Sequence, residues 1–246
     1  MKEKLINTII DNIKTLIYAL LIALVIRSLL IQPFYIPSSS MEPTLLIGDR
    51  IFVSKLSYGF SKHSFPFSPP IYNKRVLFDN PEYGDLVVFK LPADNRTDYI
   101  KRLIGVPGDT IQFVNGEIYL NDKKISREPV NTNYIIRCGQ NNLEVKAYRE
   151  TLPNGVSYVA VYNKAGTMMN TDKYIVPASH YFFLGDNRDC SKDSRFLSSV
   201  GFVSHINLVG KAKMIFFSND SVENSVLKFW KWKNSLRTER FFNKLW

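Results

Sequence analysis

The pattern of apolar and polar positions divides the chain into two unlike parts. From Leu16 to Ile31 it reads LIYALLIALVIRSLLI, apolar on every helical face and interrupted only by Arg27 and Ser28. These 16 residues span roughly 24 Å as a helix, short of a hydrocarbon core about 30 Å thick. The helix is therefore expected to begin earlier, near Ile9, with Lys14 and Arg27 reaching toward the headgroups. Beyond it the period changes to that of strands. Asp85 to Leu91, Tyr99 to Val106, Tyr181 to Leu184 and Leu208 to Phe217 are rich in β-branched and aromatic residues. Asn115-Gly116, between Thr110–Val114 and Glu117–Leu120, is a hairpin signal, and Asn154-Gly155 before VSYVAVY is a second. Many short strands separated by turns predict a mostly β domain behind one N-terminal transmembrane helix.

This pattern sets the expected boundaries. Residues 1–31 form the anchor, and 32–128 with 177–222 form the β domain. The more polar stretch 129–176, with several Asn and Gly, is expected to be an inserted cap. Residues 223–246 mix Trp, Phe and basic side chains and are expected to form a helix. The proline-containing stretch from His63 to Pro81 reads as a long surface loop. A basic start before an apolar run also describes a cleavable secretory segment, but that needs small residues after the run. Gln32-Pro33-Phe34-Tyr35-Ile36 follows instead, so the segment is expected to stay. Lysines before the helix favour a cytoplasmic N-terminus and a β domain on the extracytoplasmic side of the cytoplasmic membrane.

Composition narrows the partners. The chain has 246 residues and a net charge of +10, which calls for an anionic partner. Basic and aromatic residues at the C-terminus fit either a lipid interface or packing on the domain itself. Single-stranded nucleic acid is disfavoured by the anchor, and no nucleic-acid partner is expected. Two cysteines, Cys138 and Cys190, are too few for a disulfide framework. One bridge between them stays open from sequence alone. No Cys/His spacing or HExxH points to a metal, and no cofactor is implied.

Candidate chemistry starts from the serines of Ser38–Leu45 (SSSMEPTL), placed where the apolar segment ends. A nucleophilic serine needs a base in reach. His63, His180 and His205 lie in no recognised motif, and there is no GxSxG elbow. A lysine serves as base only when burial keeps it partly neutral. Lys101 is the candidate: in strand alternation it shares a face with Tyr99 and Leu103, while Arg102 points the other way beside Ile100 and Ile104. Which face is inner is left open by the alternation. Ser225-Val226-Leu227-Lys228 matches an S-x-x-K motif but lies in the basic tail, without the S-D-N or K-T-G that accompanies it elsewhere.

Taken together, Pro37–Leu45, Gly48-Asp49, Tyr83–Pro92 (YGDLVVFKLP), Asp98–Asp109 (DYIKRLIGVPGD), Gly185–Arg195 (GDNRDCSKDSR) and Gly210-Lys211-Ala212, in this order behind an anchor, resemble bacterial type I signal peptidase. That family consists of membrane-anchored Ser-Lys proteases that remove signal peptides from exported preproteins after small-x-small motifs. The resemblance implies a β catalytic domain with a small cap. It implies Ser40 as nucleophile, Lys101 as general base and then acid, and an oxyanion hole from the Ser40 N–H and Ser38 hydroxyl. Ser191 would orient Lys101, and Asp193 and Arg195 would pair beside the site. Phe34, Ile36, Met41, Leu45, Val88 and Ile100 would line the substrate pockets, with Met41 and Leu45 facing the membrane. Partners would be preproteins and the lipid bilayer. Lys192 stands where a small residue is common near the first pocket, and Cys190 where asparagine is. The alternative is an inactive, anchored scaffold of the same fold, against which the intact Ser40 and Lys101 count.

Overall fold

The computed structural model describes residues 2–70, 73–139, 141–163, 169–220 and 235–245. Helix α1 (Lys2–Leu29) is 28 residues long, about 42 Å at 1.5 Å per residue. It is exposed along nearly its whole length and is long and apolar enough to cross a membrane. It starts well before Ile9. It also stops two residues short of the apolar run's end, because Pro33 disfavours helix at Gln32 before it. Leu30 bonds back to Ile26, and the chain turns directly into a strand.

The strands are β1 (Ile31–Tyr35), β2 (Asp49–Ser54), β3 (Leu86–Lys90), β4 (Asp98–Gly105), β5 (Thr110–Val114), β6 (Glu117–Leu120) and β7 (Lys123–Lys124). They continue with β8 (Ser126–Cys138), β9 (Asn141–Thr151), β10 (Ser157–Tyr162), β11 (Tyr174–Ile175), β12 (His180–Leu184), β13 (Val203–Ser204) and β14 (Leu208–Ser218). Seven of them form one antiparallel sheet in the order β1-β2-β14-β3-β4-β12-β13. Strand β3 is buried on both faces, which explains its unbroken apolar run. Leu86 and Val88 join Ile36, Ile51 and Val53 on one side, and Val87 and Phe89 join Leu103 and Phe183 on the other.

The chain leaves this sheet after Gly105 and returns at His180. The excursion is wider than the expected 129–176. The hairpin β5–β6 also leaves, forming a four-stranded sheet with β7 and β11, and β8, β9 and β10 form a third sheet. Gly155, at φ +85°, makes the turn between β9 and β10 at the second predicted hairpin. The loop from His63 to Pro81 is not wholly at the surface. His63 and Ser64 are buried, because the Lys55 amine reaches the Ser64 carbonyl.

The helix expected over 223–246 is corrected in its last part. Thr238–Arg240 is a single 3-10 turn, and the chain from Leu236 to Leu245 is otherwise irregular; 221–234 lie outside the described residues. Tertiary contacts explain this. Arg240 pairs with the buried Asp49 at 2.6 Å, and Leu245 enters the core beside Ile51 and Ile215. The segment is held against β2 and β14 rather than turned to a lipid surface.

Candidate active site

The site forms where β4 loses a neighbour. Strand β12 pairs with Gly105, Leu103 and Arg102 and then ends at Leu184. From Asp98 to Lys101, β4 is paired with β3 alone. The loop after α1 and β1 lies against this open edge. Ser39–Met41 is a buried 3-10 turn, held by Asn187: its backbone N–H donates to the Ser40 carbonyl at 3.2 Å and its Nδ2 to the Ser39 carbonyl at 3.1 Å. The Lys101 Nζ lies 2.6 Å from the Ser40 Oγ, across 61 positions of sequence. Its second bond goes to the Ile100 carbonyl at 2.9 Å.

The question of faces is thereby answered. Lys101 is 3% exposed and shares its side with Leu103 and Tyr99, whose ring centroid is 5.3 Å from the Nζ. Burial pushes the amine down to about 8, opposed by Asp193 and Asp186 and helped by Arg195. Such a lysine is neutral far more often at neutral pH than a free one. The Ser38 hydroxyl lies 3.3 Å from the Ser40 Oγ. A buried alcohol, an amine kept partly uncharged and a second hydroxyl thus meet at one point. This can deprotonate a serine and donate to an oxyanion.

Beside them runs a cleft of about 360 Å³, lined by Phe34, Ile36, Val88 and Ile100, with Ser38, Ser40 and Lys101 in its wall. Four of the six predicted pocket residues therefore line it. Met41 and Leu45 do not: both are 0% exposed and lie in the core with Ile36, Ile51 and Leu86. The 3-10 turn carries them inward, so they face the protein interior and not a membrane. Lys192 is exposed and lines the cleft with Cys190. Cys190 is bridged to Cys138 at the end of β8, which ties the excursion to the loop after β12.

That loop holds the site from behind. Asp193 pairs with Arg195 at 2.8 Å in full burial and accepts from the Gly185 N–H at 3.0 Å. Gly185 has no space for a side chain: a Cβ there would stand 2.4 Å from the Ser40 carbonyl and 2.2 Å from the Ser191 Oγ. The bond expected from Ser191 to Lys101 is not formed. The Ser191 side chain packs instead against Gly185, and its buried hydroxyl has no partner among the described residues. Three supporting residues escaped the sequence reading. Arg102 forms a buried pair with Asp186 at 2.7 Å, and Asp186 accepts from Thr44 in the serine loop. Asn187 holds the turn. The only sequence signal was their place inside Tyr99–Val106 and Gly185–Arg195.

A serine and a buried lysine beside an apolar cleft, on a β domain that follows a long apolar helix, describe a membrane-anchored hydrolase of the serine type. The model of the family described as signal peptidase, peptidase S26, matches residues 9–217. Signal peptidase I from Rickettsia typhi is 42% identical over 98% of this chain and 95% of its own. Signal peptidase I from Rickettsia massiliae is 44% identical over 94% of this chain and 91% of its own. A crystal structure of a signal peptidase I from Enterococcus faecalis is 26% identical, covering 54% of this chain and 97% of that one, at a TM-score of 0.32. The chain belongs to the signal peptidase family, peptidase S26. Its activity is that of signal peptidase I, a serine endopeptidase that removes signal peptides from preproteins.

Proposed function

We propose that Ser40 is the nucleophile of this endopeptidase and Lys101 its general base. The observation that carries the assignment is the 2.6 Å approach of Nζ to Oγ by a lysine excluded from solvent. The neutral amine takes the Ser40 proton as Oγ attacks the scissile carbonyl. The resulting ammonium then protonates the departing amine, and water releases the acyl-enzyme by the same route. The Ser38 hydroxyl and the Ser40 N–H receive the developing oxyanion, typically worth about 10²–10³ in rate per donor. Arg195 and Asp193 hold the loop behind the dyad and do not touch substrate.

The substrate backbone adds to the open edge of β4 at Asp98–Lys101, as an extended peptide adds to a sheet. Phe34, Ile36, Val88 and Ile100 form shallow pockets for the small side chains at the first and third positions before the cut. Helix α1 crosses the cytoplasmic membrane once with its N-terminus inside, which sets the catalytic domain on the extracytoplasmic face and the cleft near the bilayer. The scissile bond of a preprotein lies just past its own membrane segment, so the serine loop is carried where the anchor emerges.

The test is processing of one model preprotein by the full chain in detergent or vesicles. Wild type should cleave, and Ser40→Ala and Lys101→Ala should each be inactive with an unchanged β spectrum. Turnover by Lys101→Ala within tenfold of wild type would remove the lysine from the mechanism.

A further inference from the structure

We propose that the cavity beside the end of α1 holds the headgroup phosphate of an anionic phospholipid, next to the mouth of the catalytic cleft. This rests on the reading that α1 spans the bilayer. The cavity measures about 220 Å³ and its wall includes Arg27, His63, Phe65, Phe67, Lys90 and Arg96. That is below the range of about 300–1,000 Å³ usual for sites that enclose drug-sized ligands, and it suits a headgroup whose chains lie elsewhere.

Three cations reach it from three segments: the last turn of α1, the end of β3 and the loop before β4. Lys90 is already matched by Asp98, also in the wall, at 2.8 Å. Arg27 and Arg96 form no ion pair among the described residues. Two unmatched guanidiniums beside one cavity favour an anion with several acceptor oxygens. His63 also borders the cavity. It is 4% exposed, its Nδ1 is 2.9 Å from the Ser68 hydroxyl, and its buried Nε2 has no partner among the described residues. Burial, with Lys62, Lys90 and Arg75 nearby, pushes this imidazole down to about 4, so it meets a ligand as a neutral ring. That Nε2 is closed to a water-sized probe, so it meets an oxygen of a bound headgroup only after the ring turns toward the cavity, and the site rests on the two guanidiniums.

Position selects a lipid over other phosphates. Arg27 lies in the last turn of the apolar helix, and the Lys55 N–H bonds the Leu30 carbonyl at 3.0 Å, so the cavity sits where the span ends. Phe67, in its wall, is fully exposed, and an apolar ring beside basic side chains suits the headgroup–acyl boundary. Phe34 and Asp98 line both this cavity and the catalytic cleft. A lipid held there borders the path by which a membrane-bound preprotein enters.

The experiment reconstitutes the full chain in phosphatidylcholine bilayers with a minority of phosphatidylglycerol. It measures the ratio of the two lipids that stay with the protein after mild detergent extraction. Wild type should be enriched in phosphatidylglycerol. Arg96→Gln, at an exposed loop residue, should lower that enrichment about fivefold, as should Arg27→Gln, the equivalent of about 1 kcal/mol for one basic residue at a lipid surface. Lys123→Gln, which removes the same charge from the distant β7, should leave it unchanged. Equal enrichment in wild type and both arginine variants, or an equal loss in Lys123→Gln, would overturn the site. Displacement of the lipid by added inorganic phosphate would assign the cavity to free phosphate and overturn it too. Alkaline carbonate washing keeps the two readings apart. Release of the wild type would sink the span and the site with it, whereas retained protein with no arginine effect would sink the site alone.

Discussion

Lys101→Met should stop cleavage and, at neutral pH, make the protein more stable. The amine is held at about 8 against an ordinary 10.5, chiefly by burial. The unfolded chain therefore binds a proton more readily than the folded one between those values, and stability rises with pH across that window. The penalty is fully present below about pH 8 and gone above about 10.5. It amounts to about 3 kcal/mol near pH 7 and about 1.5 kcal/mol near pH 9.5. Methionine keeps the unbranched shape and removes the charge. It also removes the bonds to Ser40 and to the Ile100 carbonyl, a loss of about 0.5–1.5 kcal/mol each that does not depend on pH. The net gain near pH 7 is then about 0–2 kcal/mol, or a melting point higher by up to about 8 °C at about 2–4 °C per kcal/mol. Near pH 9.5 the gain should vanish or reverse. Thermal unfolding of wild type and variant in one detergent at both pH values reads the difference of about 2 kcal/mol directly. A melting difference that stays constant with pH, or that grows in the variant's favour as pH rises, would refute a lysine held uncharged by its surroundings.

Three further outcomes are expected. Because the base must be neutral, kcat/KM should rise about tenfold per pH unit below an apparent pKa near 8 and level off above it; a rise continuing to 10.5 would contradict the burial. Ser38→Ala should lower kcat by about 10²–10³ with KM little changed, and steady-state kinetics on a peptide substrate checks it; a fall of less than threefold would remove the hydroxyl from the oxyanion hole. Gly185→Ala should inactivate the enzyme although the dyad is intact, since the added carbon would lie 2.4 Å from the Ser40 carbonyl. A fluorophosphonate-type serine probe reports the loss, and normal labelling would mean that the serine turn tolerates the displacement.

How much of this was legible depends on how local the cause is. An apolar run reports a membrane-spanning helix because each residue meets lipid or water by itself, and β3, β4, β12 and β14 were visible through their own apolar character. Strands β1 and β2 were not, since Ile31–Tyr35 is masked by the helix before it and Asp49–Ser54 by its short, mixed composition. Strands β8 and β9 are largely exposed and polar, with one small apolar face of Ile136, Val145 and Ala147 against Val161 of β10, too sparse along the chain to announce the partnership. Met41 and Leu45 look like pocket residues in sequence, but the Ser39–Met41 turn points them inward.

The ordered segments from Pro37 to Ala212 were enough to name the chemistry and both members of the dyad. Alternation along β4 already separated Lys101 from Arg102. Which of those two faces meets Ser40, and how dry the lysine is, were decided only in three dimensions. Strand β12 ends at Leu184 and leaves the β4 edge open, Asn187 holds the serine turn against it, Asp193 fixes the loop behind, and Gly185 lets the backbones approach. Residues 61 positions apart meet because of strand order and turn placement. A pKa depends on everything packed around the group, so no single stretch of the chain carries it.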